Sequence, residues 1–377
     1  MIKCLIWDLD NTLFAGVYLE SAGQSPPVDP GPAAVLAELA GRGILQAIAS
    51  RNPPQAASYA AQATGHQFAA AQCGWGAKSD AIAAILHDLG LTPDEVAFVD
   101  DDALERGEVS FALPGVLVLA PEDLPEALGW PQFSPPIITA EGRRRGELYI
   151  QRRARQAEAA AFGGSPEAFL RYCGTQVRIG RAGPADVPRL HELSVRTHQF
   201  NSAGLVVSEA TLAELLTAPG HQVVTVRLAD RFGDDGLVGG GVIRSAESTW
   251  QVPLLMMSCR AMGRGVIGPL LTWIGLEAAR VGATEVAVAC VVNERNVPLR
   301  IALASAGFRA SDADASPADT SPANASPADT SLADASAGQP AWARPAGRSP
   351  GPNRTVAYRI GLDRPLAGLP DWVVTDD

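Results

Sequence analysis

Short apolar runs alternate with longer amphipathic segments through the first hundred residues of the chain. The runs at 3–7, 44–49 and 95–99 are five or six residues long and end at acidic, hydroxyl or turn-forming residues. Such runs are typical of strands in a parallel sheet that is covered on both faces. Patterns of helical period at 33–39 and 81–89 lie between them. The first part of the chain is therefore predicted to be an α/β unit with a parallel sheet.

A second series of hydrophobic patterns begins near residue 173. These patterns predict helices at 185–197, 269–281 and 293–308, a turn at 232–236, and strands at 222–228, 238–244, 250–257, 286–292 and 355–360. Between the two series, residues 141–162 predict one long, basic, alanine-rich helix. That helix is interpreted either as a solvated linker or as a docking surface for an acidic partner.

Residues 310–353 contain a five-residue repeat of the form Ser-Pro-Ala-Asp-Thr. The repeat has no bulky apolar side chains and cannot bury a core, so the tract is predicted to be disordered. A strand pattern resumes at 355–360, and we interpret the tract as an expanded loop inside the second unit.

Composition and charge narrow the functional classes. The chain has 377 residues, 47% of them hydrophobic, and a formal net charge of -11, which argues against a general nucleic-acid binder. Its five cysteines form no Cys-x-x-Cys pattern, so we expect neither a disulfide framework nor a zinc site. Acidic residues interrupt the first apolar run, and no segment is long and apolar enough to span a bilayer. We therefore expect a cytoplasmic protein without a membrane partner.

The first strand ends in two aspartates, Asp8 and Asp10, with Thr12 two residues further on. The carboxyl ends of parallel strands form the edge where open α/β sheets bind ligands. Two carboxylates placed there repel each other unless a cation neutralises them, which predicts a hard ion such as Mg²⁺. One carboxylate could then attack phosphorus while the other moves a proton. The simpler alternative is an Asp-x-Asp pair that caps a turn.

Three further polar groups follow strands or begin helices. Ser50 ends the second strand and is either a phosphate ligand or a helix cap. Lys78 begins a helix, where a cation is disfavoured by the dipole, so a bound anion explains it better. The acids at 100–102 follow the third apolar run and are either metal ligands or an acidic surface loop.

A glycine-rich segment of the second unit links a predicted strand to a predicted helix. It contains Arg260, Gly263 and Gly265, whose spacing favours either an anion-binding loop or a tight turn. The diphosphate of coenzyme A, or the phosphate of a carrier protein's phosphopantetheine arm, would suit such a loop. Cys259 precedes it and is either a thiolate nucleophile or a small packing residue.

The order of the first four groups resembles the four-motif pattern of the haloacid dehalogenase (HAD) superfamily. The resemblance implies a Rossmann-like sheet with a minimal cap, bound Mg²⁺ and an aspartyl-phosphate intermediate. It makes Asp8 the nucleophile and Asp10 the general acid/base, with Lys78 as a further catalytic residue. It also implies substrate contacts from Thr12, Ser50, Arg51 and Asn52, and metal contacts from Asp8, Asp10, Asp100 and Asp101.

The second unit resembles the GNAT (N-acetyltransferase-like) fold. A HAD pattern followed by a GNAT-like unit resembles the FkbH-like family of polyketide pathways, through segments such as WDLDNTL at 7–13, GWGAKS at 74–79 and MSCRAMGRG at 257–265. The family implies transfer of a glyceryl unit from 1,3-bisphosphoglycerate to the phosphopantetheine thiol of an acyl carrier protein, with phosphate removal. Cys259 would capture the acyl group, and His198 is a candidate base or a structural histidine. His198 and the segment 202–205 depart from the family pattern, which leaves the acyl group open.

The resemblance gives boundaries to the predicted segments. We expect a HAD-like domain at 1–135, a basic linker region at 136–172, a GNAT-like domain at 173–309, an insertion at 310–353 and a closing strand with tail at 354–377. Two other functions stay open: a stand-alone phosphatase of a small phosphorylated metabolite, and a carrier-protein binding module whose HAD site is vestigial.

Overall fold

The computed structural model describes residues 1–20, 25–197, 199–246, 248–293, 295–312 and 355–376. The chain forms two compact units, Met1–Gly163 and Gly164–Asp377. Among the described residues, no helix combines the length and apolar character needed to cross a bilayer.

The first unit is an α/β layer structure around a five-stranded parallel sheet in the order β3-β2-β1-β4-β5. The expected α/β class and parallel sheet are thereby confirmed. Its elements are β1 Cys4–Trp7, α1 Pro30–Gly41, β2 Leu45–Ser50, α2 Pro54–Thr64, β3 Ala70–Cys73, α3 Lys78–Leu89, β4 Val96–Val99, α4 Ala103–Ala112, β5 Leu117–Leu119, α5 Leu124–Ala127, α6 Ala140–Arg143 and α7 Arg145–Ala161.

Strand β1 lies at the centre of this sheet and is buried on both faces. Leu5 and Trp7 pack into one apolar cluster, while Cys4 and Ile6 pack into another. Cys4 pairs with Leu45 of β2 and with Val96 of β4, so the three strands run in register toward one edge. The alternation of side chains between two covered faces explains why the run is apolar throughout.

Helix boundaries in the first unit differ from the sequence prediction in two places. Helix α1 begins at Pro30, because Asp29 caps it by accepting from the Gly31 backbone N–H and because proline is tolerated in the first turn. The single helix predicted at 141–162 is divided at Arg144, which has non-helical ψ. The longer part, α7, buries Tyr149 in the core of the first unit, so it is more than a solvated linker.

The second unit contains an eight-stranded sheet in the order β11-β12-β10-β9-β8-β7-β6-β13. The pairs β9–β10 and β13–β6 are parallel, and the remaining neighbours are antiparallel. Its elements are α8 Pro166–Tyr172, β6 Gln176–Arg181, α9 Val187–Arg196, α10 Glu209–Thr217, β7 His221–Asp230, β8 Gly233–Arg244, β9 Thr249–Met257, α11 Ile267–Arg280, β10 Glu285–Val291, α12 Val297–Ser305, β11 Arg309–Asp312, β12 Thr355–Gly361 and β13 Val373–Thr375.

Two predicted loops of the second unit are shorter than expected. Strand β7 continues to Asp230, and strand β8 begins at Gly233, inside the predicted turn at 232–236. The Asp230 side chain accepts from the Phe232 N–H, which closes the hairpin after two residues. Strand β11 includes residues 310–312, the start of the predicted repeat tract, and pairs antiparallel with β12. The rest of that tract lies outside the described residues.

The turn after β1 depends on Asn11, whose φ of 51° is the one left-handed value at a non-glycine residue in the described ranges. Asparagine tolerates this conformation because its short polar side chain can hydrogen-bond locally, whereas most other residues with a Cβ are strained by about 1–2 kcal/mol. We expect Asn11→Ala to lower the free energy of unfolding by about 1 kcal/mol. The matched control Asn11→Gly should lower it less. Urea denaturation of the full chain measures both; equal losses would contradict the assignment of strain to this turn.

Candidate active site

The carboxyl ends of β1, β2 and β4 bring polar side chains from three parts of the sequence to one edge of the sheet. Asp8 follows β1, Ser50 ends β2 and Asp100 follows β4; all three are buried. Because β1 lies between β2 and β4, these side chains are neighbours across the sheet. The convergence expected from the sequence is therefore present in the structure.

Lys78 is the first residue of α3, and its ammonium group lies among three carboxylates. Its Nζ is 2.5 Å from Asp8 Oδ1, 3.0 Å from Asp100 Oδ2 and 2.7 Å from Glu105 Oε2. It also donates to the carbonyl oxygen of Ala49 at 3.2 Å. The Lys78 side chain is only 2% exposed, so these contacts replace its hydration.

The carboxylates in this group are difficult to ionise together. Burial raises the pKa of Asp8, although Lys78 and a hydrogen bond from Ser50 oppose that shift. Burial, followed by repulsion from Asp8, raises the pKa of Asp100 to about 7. Burial alone would lower the pKa of Lys78, but attraction to Asp8 and Asp100 outweighs it and raises that pKa. The site therefore has an excess of negative charge that Lys78 does not fully balance.

Asp10 lies beside this cluster and is held by two donors. The Tyr18 backbone N–H donates to Asp10 Oδ1 at 2.9 Å, and Asn52 Nδ2 donates to Asp10 Oδ2 at 2.9 Å. The first contact ties Asp10 to the segment after β1, where Phe14 forms a β-bridge with Val28. Asp10 is thus oriented by Tyr18 of the segment after β1 on one side and by Asn52, just after β2, on the other.

Thr12 and Asp101 form a separate contact. The Asp101 backbone N–H donates to Thr12 Oγ1 at 3.0 Å, and the Thr12 hydroxyl lies 3.4 Å from Asp101 Oδ1. Thr12 therefore joins the loop after β1 to the loop after β4. Its predicted role in substrate binding stays a prediction, because this contact engages its hydroxyl in holding the two loops together.

The oxygen-rich cluster fits a hard divalent cation. One carboxylate oxygen each from Asp8, Asp100 and Glu105 can be chosen so that all lie within 4.8 Å of one another, and oxygen ligands are what Mg²⁺ prefers. Asp10 and Asp101, which the sequence also placed at the metal, lie outside this group. Glu105 was missed by the sequence analysis, because an acid in the first turn of a helix is explained by the dipole alone.

A cavity of about 140 Å³ opens beside Lys78. Ser50, Arg51, Cys73 and Gly76 are among the residues that line it. Arg51 is half exposed and forms an ion pair with Glu105 at 2.9 Å, so a cationic side chain stands at the edge of the cavity. The cavity therefore combines hydroxyl, guanidinium and ammonium groups, which are common donors to a phosphate.

The predicted anion loop of the second unit has the expected glycine conformations but an unexpected fixed arginine. Gly263 and Gly265 have φ of 70° and 63°. Between them, Arg264 is buried and forms ion pairs with Asp230, at 2.7 Å, and with Asp235. Two carboxylates thus neutralise this guanidinium and hold the loop against the β7–β8 hairpin.

The two side chains at the start of this loop lie in different surroundings. Arg260 is buried, and Cys259 is half-buried. Cys259 begins a single 3₁₀ turn, while helix α11 starts eight residues later at Ile267, so the thiol does not lie at the start of that helix. His198, the candidate base, lies outside the described residues.

Residues 200–202 lie between β9 and β10 where the two strands stop pairing. The two strands pair through Val252 and Val288, and Pro253, which has no N–H, follows at once. Beyond it, Met257 N donates to Phe200 O at 2.8 Å, and Ser202 N donates to Leu255 O at 2.9 Å.

Ser202 forms hydrogen bonds to both β9 and β10 where the two strands separate. Its hydroxyl accepts from the Leu255 N–H at 2.9 Å, and its carbonyl accepts from the Val291 N–H of β10 at 2.7 Å. Ser202 is fully buried. Where the two strands diverge, backbone groups of Leu255, Met257 and Val291 are therefore bonded to residues 200–202. These groups are not available to a ligand.

No protein-family model and no curated protein matches this chain. Among solved structures, it is similar to the N-terminal part of a Bacteroides fragilis protein that contains a phosphatase domain, solved with Mg, at 28% identity and a TM-score of 0.30. That alignment covers 34% of this chain and only 39% of the other, so the chain spans about two fifths of its length.

Two further similarities are to structures described as acetyltransferases. One is a GNAT-family protein from Desulfovibrio desulfuricans, at 15% identity and a TM-score of 0.34, covering 49% of this chain and 99% of the other. The second is a Salmonella typhimurium protein with its cofactor acetyl-CoA, at 15% identity and a TM-score of 0.31, covering 52% and 97%. Each alignment thus covers about half of this chain.

Replacement of Lys78 tests whether its ammonium organises the site. We expect Lys78→Met to lower Mg²⁺-dependent phosphate release by about 10²- to 10³-fold, because it removes a preorganised cation. The matched control is Lys3→Met, which breaks the 2.7 Å pair with Glu95 near the start of the same sheet. Release of inorganic phosphate from a small phosphate ester is measured for both. Similar losses in the two variants would contradict a specific role for Lys78.

The raised pKa of Asp100 predicts an unusual pH dependence of stability in the absence of Mg²⁺. Between pH 4 and 7 the folded chain retains a proton on Asp100 that the unfolded chain has lost, so this group destabilises the fold as pH rises. Asp100→Asn removes that contribution. We expect the variant to gain stability relative to wild type from pH 4 to 7, measured by urea denaturation with chelator present. A constant difference across this range would contradict the shift.

Proposed function

We propose that the first unit is a Mg²⁺-dependent phosphatase that uses Asp8 as its nucleophile. The observation that carries this proposal is the contact of Lys78 with Asp8 and Asp100 at the edge of the parallel sheet, beside a cavity lined by Ser50 and Arg51. The proposed nucleophile, one further acid and several phosphate donors thus lie close together.

The side chains divide the proposed reaction between them. An Asp8 oxygen attacks phosphorus, the bond to the leaving oxygen breaks, and Asp10 gives that oxygen a proton. Asp10 then takes a proton from the water that hydrolyses the aspartyl-phosphate, which restores Asp8. Lys78 and Ser50 hold the phosphate oxygens throughout. When bound, Mg²⁺ would be held by Asp8 and Asp100, with Glu105 within reach, and would offset the charge of carboxylates and phosphate.

We further propose the finer activity of the FkbH-like family that the sequence resembles. The substrate is 1,3-bisphosphoglycerate, and the acceptor is the phosphopantetheine thiol of an acyl carrier protein. A thiolate, with Cys259 as the candidate, attacks the acyl carbon and expels phosphate, and the acyl group then passes to the carrier thiol. The first unit removes the remaining phosphate. In this proposal the protein acts in the cytoplasm, with the carrier protein as its partner.

A stand-alone phosphatase is the second candidate, and one observation in the second unit favours it. The strand ends of β9 and β10 are one place where an extended, amide-containing arm could pair with backbone. Residues 200–202 already bond to those groups. A phosphatase of a free metabolite needs no site for such an arm.

The mass of a carrier protein separates the two candidates. A phosphopantetheinylated carrier is incubated with the full chain, Mg²⁺ and 1,3-bisphosphoglycerate, and its intact mass is measured. We expect the gain of an unphosphorylated glyceryl group, abolished in Cys259→Ala. Asp8→Asn should leave a phosphoglyceryl group on the carrier, because the acyl-transfer step still expels one phosphate while removal of the second phosphate falls by at least about 10³-fold.

The remaining outcomes discriminate further. An unchanged carrier mass with continued Asp8-dependent phosphate release would contradict acyl transfer and support the stand-alone phosphatase. Gain of the unphosphorylated glyceryl group that continues undiminished in Asp8→Asn would contradict the role of the first unit in phosphate removal and indicate that its site is vestigial.

A further inference from the structure

Three charged side chains are among those that line the cavity of the proposed phosphatase site: Arg51, Lys78 and Asp80. Lys78 is 2.5 Å from Asp8. Arg51 is 2.9 Å from Glu105, so both cations already have an anionic partner. Asp80 differs from them, because it is exposed and its carboxylate has neither an ion pair nor a hydrogen bond within the described residues. The wall of the cavity therefore carries one negative charge without a partner.

Asp80 lies in the first turn of α3, two residues after Lys78. The helix dipole favours an acid at this position, so the residue type alone does not indicate a ligand. Its place in the cavity wall nevertheless affects any ligand that enters. The cavity volume of about 140 Å³ is small beside the roughly 300–1,000 Å³ of pockets for drug-sized ligands. A substrate whose phosphate reaches Lys78 therefore holds its other substituents close to this wall.

We propose that Asp80 selects against phosphate esters that carry a second negative charge close to the phosphate. The inference rests on the phosphatase function proposed for the first unit and names its substrate class: phosphate esters whose neighbouring carboxyl group has become an uncharged ester, amide or thioester. A carboxylate near Asp80 is repelled, whereas an uncharged acyl group is not. Arg51 offers little compensation, because its charge is already paired with Glu105.

This selection sets the order of two steps in the proposed reaction. 1,3-Bisphosphoglycerate carries a charged acyl phosphate and free phosphoglycerate carries a carboxylate, so Asp80 disfavours both compounds. Acyl transfer to a thiol expels the acyl phosphate and leaves an uncharged thioester in its place. The class of reaction that supplies the phosphatase site is therefore an acylation, and removal of the remaining phosphate follows it.

The experiment compares 3-phosphoglycerate with its methyl ester, which lacks the charge of the carboxylate. With the full chain and Mg²⁺, we expect kcat/KM for phosphate release to be about 5- to 10-fold higher for the methyl ester, the effect of one like charge about 4 Å away in a water-exposed site. Asp80→Asn keeps the shape of the side chain and removes its charge. The preference should then fall to near one, because the free acid is hydrolysed faster.

The matched control is Asp88→Asn, which removes an exposed acid at the other end of α3, roughly 12 Å along the helix axis. The preference should keep its wild-type value in this variant. Ionic strength supplies a second measurement. Raising NaCl from about 0.05 M to about 1 M shortens the screening length to about 3 Å, so the wild-type preference should decrease. The preference of Asp80→Asn should not respond to salt.

The outcomes separate this inference from the proposed function. A wild-type preference near one, with Asp8-dependent hydrolysis of both compounds, would overturn the inference and leave the phosphatase proposal intact. A preference that is independent of salt, that Asp80→Asn leaves unchanged, or that Asp88→Asn lowers equally would also overturn it. Phosphate release that is identical in wild type and Asp8→Asn would instead overturn the proposed function itself.

Discussion

The contact of one buried ammonium with three carboxylates is the constraint on which the first unit depends. Lys78 can hold Asp8, Asp100 and Glu105 at 2.5–3.0 Å only if β1, β4 and the first turn of α4 keep their relative positions. Charges removed from water are costly unless each is well paired, so a small displacement of any of these elements would be destabilising. The in-register parallel sheet supplies that precision, because it sets the strand ends beside one another.

The same contact leaves the site unbalanced in charge, and the imbalance is chemically useful. Three carboxylates share one ammonium, and the pKa of Asp100 rises to about 7 because burial and Asp8 disfavour its ionised form. A divalent cation would relieve this repulsion and allow Asp8 to be an ionised nucleophile. Repulsion among the assembled carboxylates thus favours binding of the cation that the proposed reaction needs.

The sequence predicted the parts of this site that follow from strand position. Asp8, Ser50 and Asp100 come directly after apolar runs, and parallel strands bring such residues to one edge. Glu105 was not predictable in this way, because its approach to Lys78 depends on how α4 packs.

The contacts of Asn52 also could not be predicted from the sequence pattern. A residue two positions after Ser50 could equally face solvent, and its link to Asp10 spans 42 residues of chain. In the second unit, the apolar run at 250–257 predicted β9 correctly. The run does not reveal that Pro253 ends the pairing with β10, since the strand itself continues to Met257.

The two candidate sites therefore differ in physical character. In the first unit, negative charge is in excess where Asp8, Asp100 and Glu105 meet, so a bound cation would complete the interactions there. In the second unit, two aspartates neutralise Arg264, and Ser202 bonds to the backbone of Leu255 in β9 and of Val291 in β10. Acyl transfer at that junction would require a carrier arm to displace residues 200–202 and replace their hydrogen bonds. Chemistry in the first unit requires no such rearrangement, which is why we assign the phosphatase reaction there.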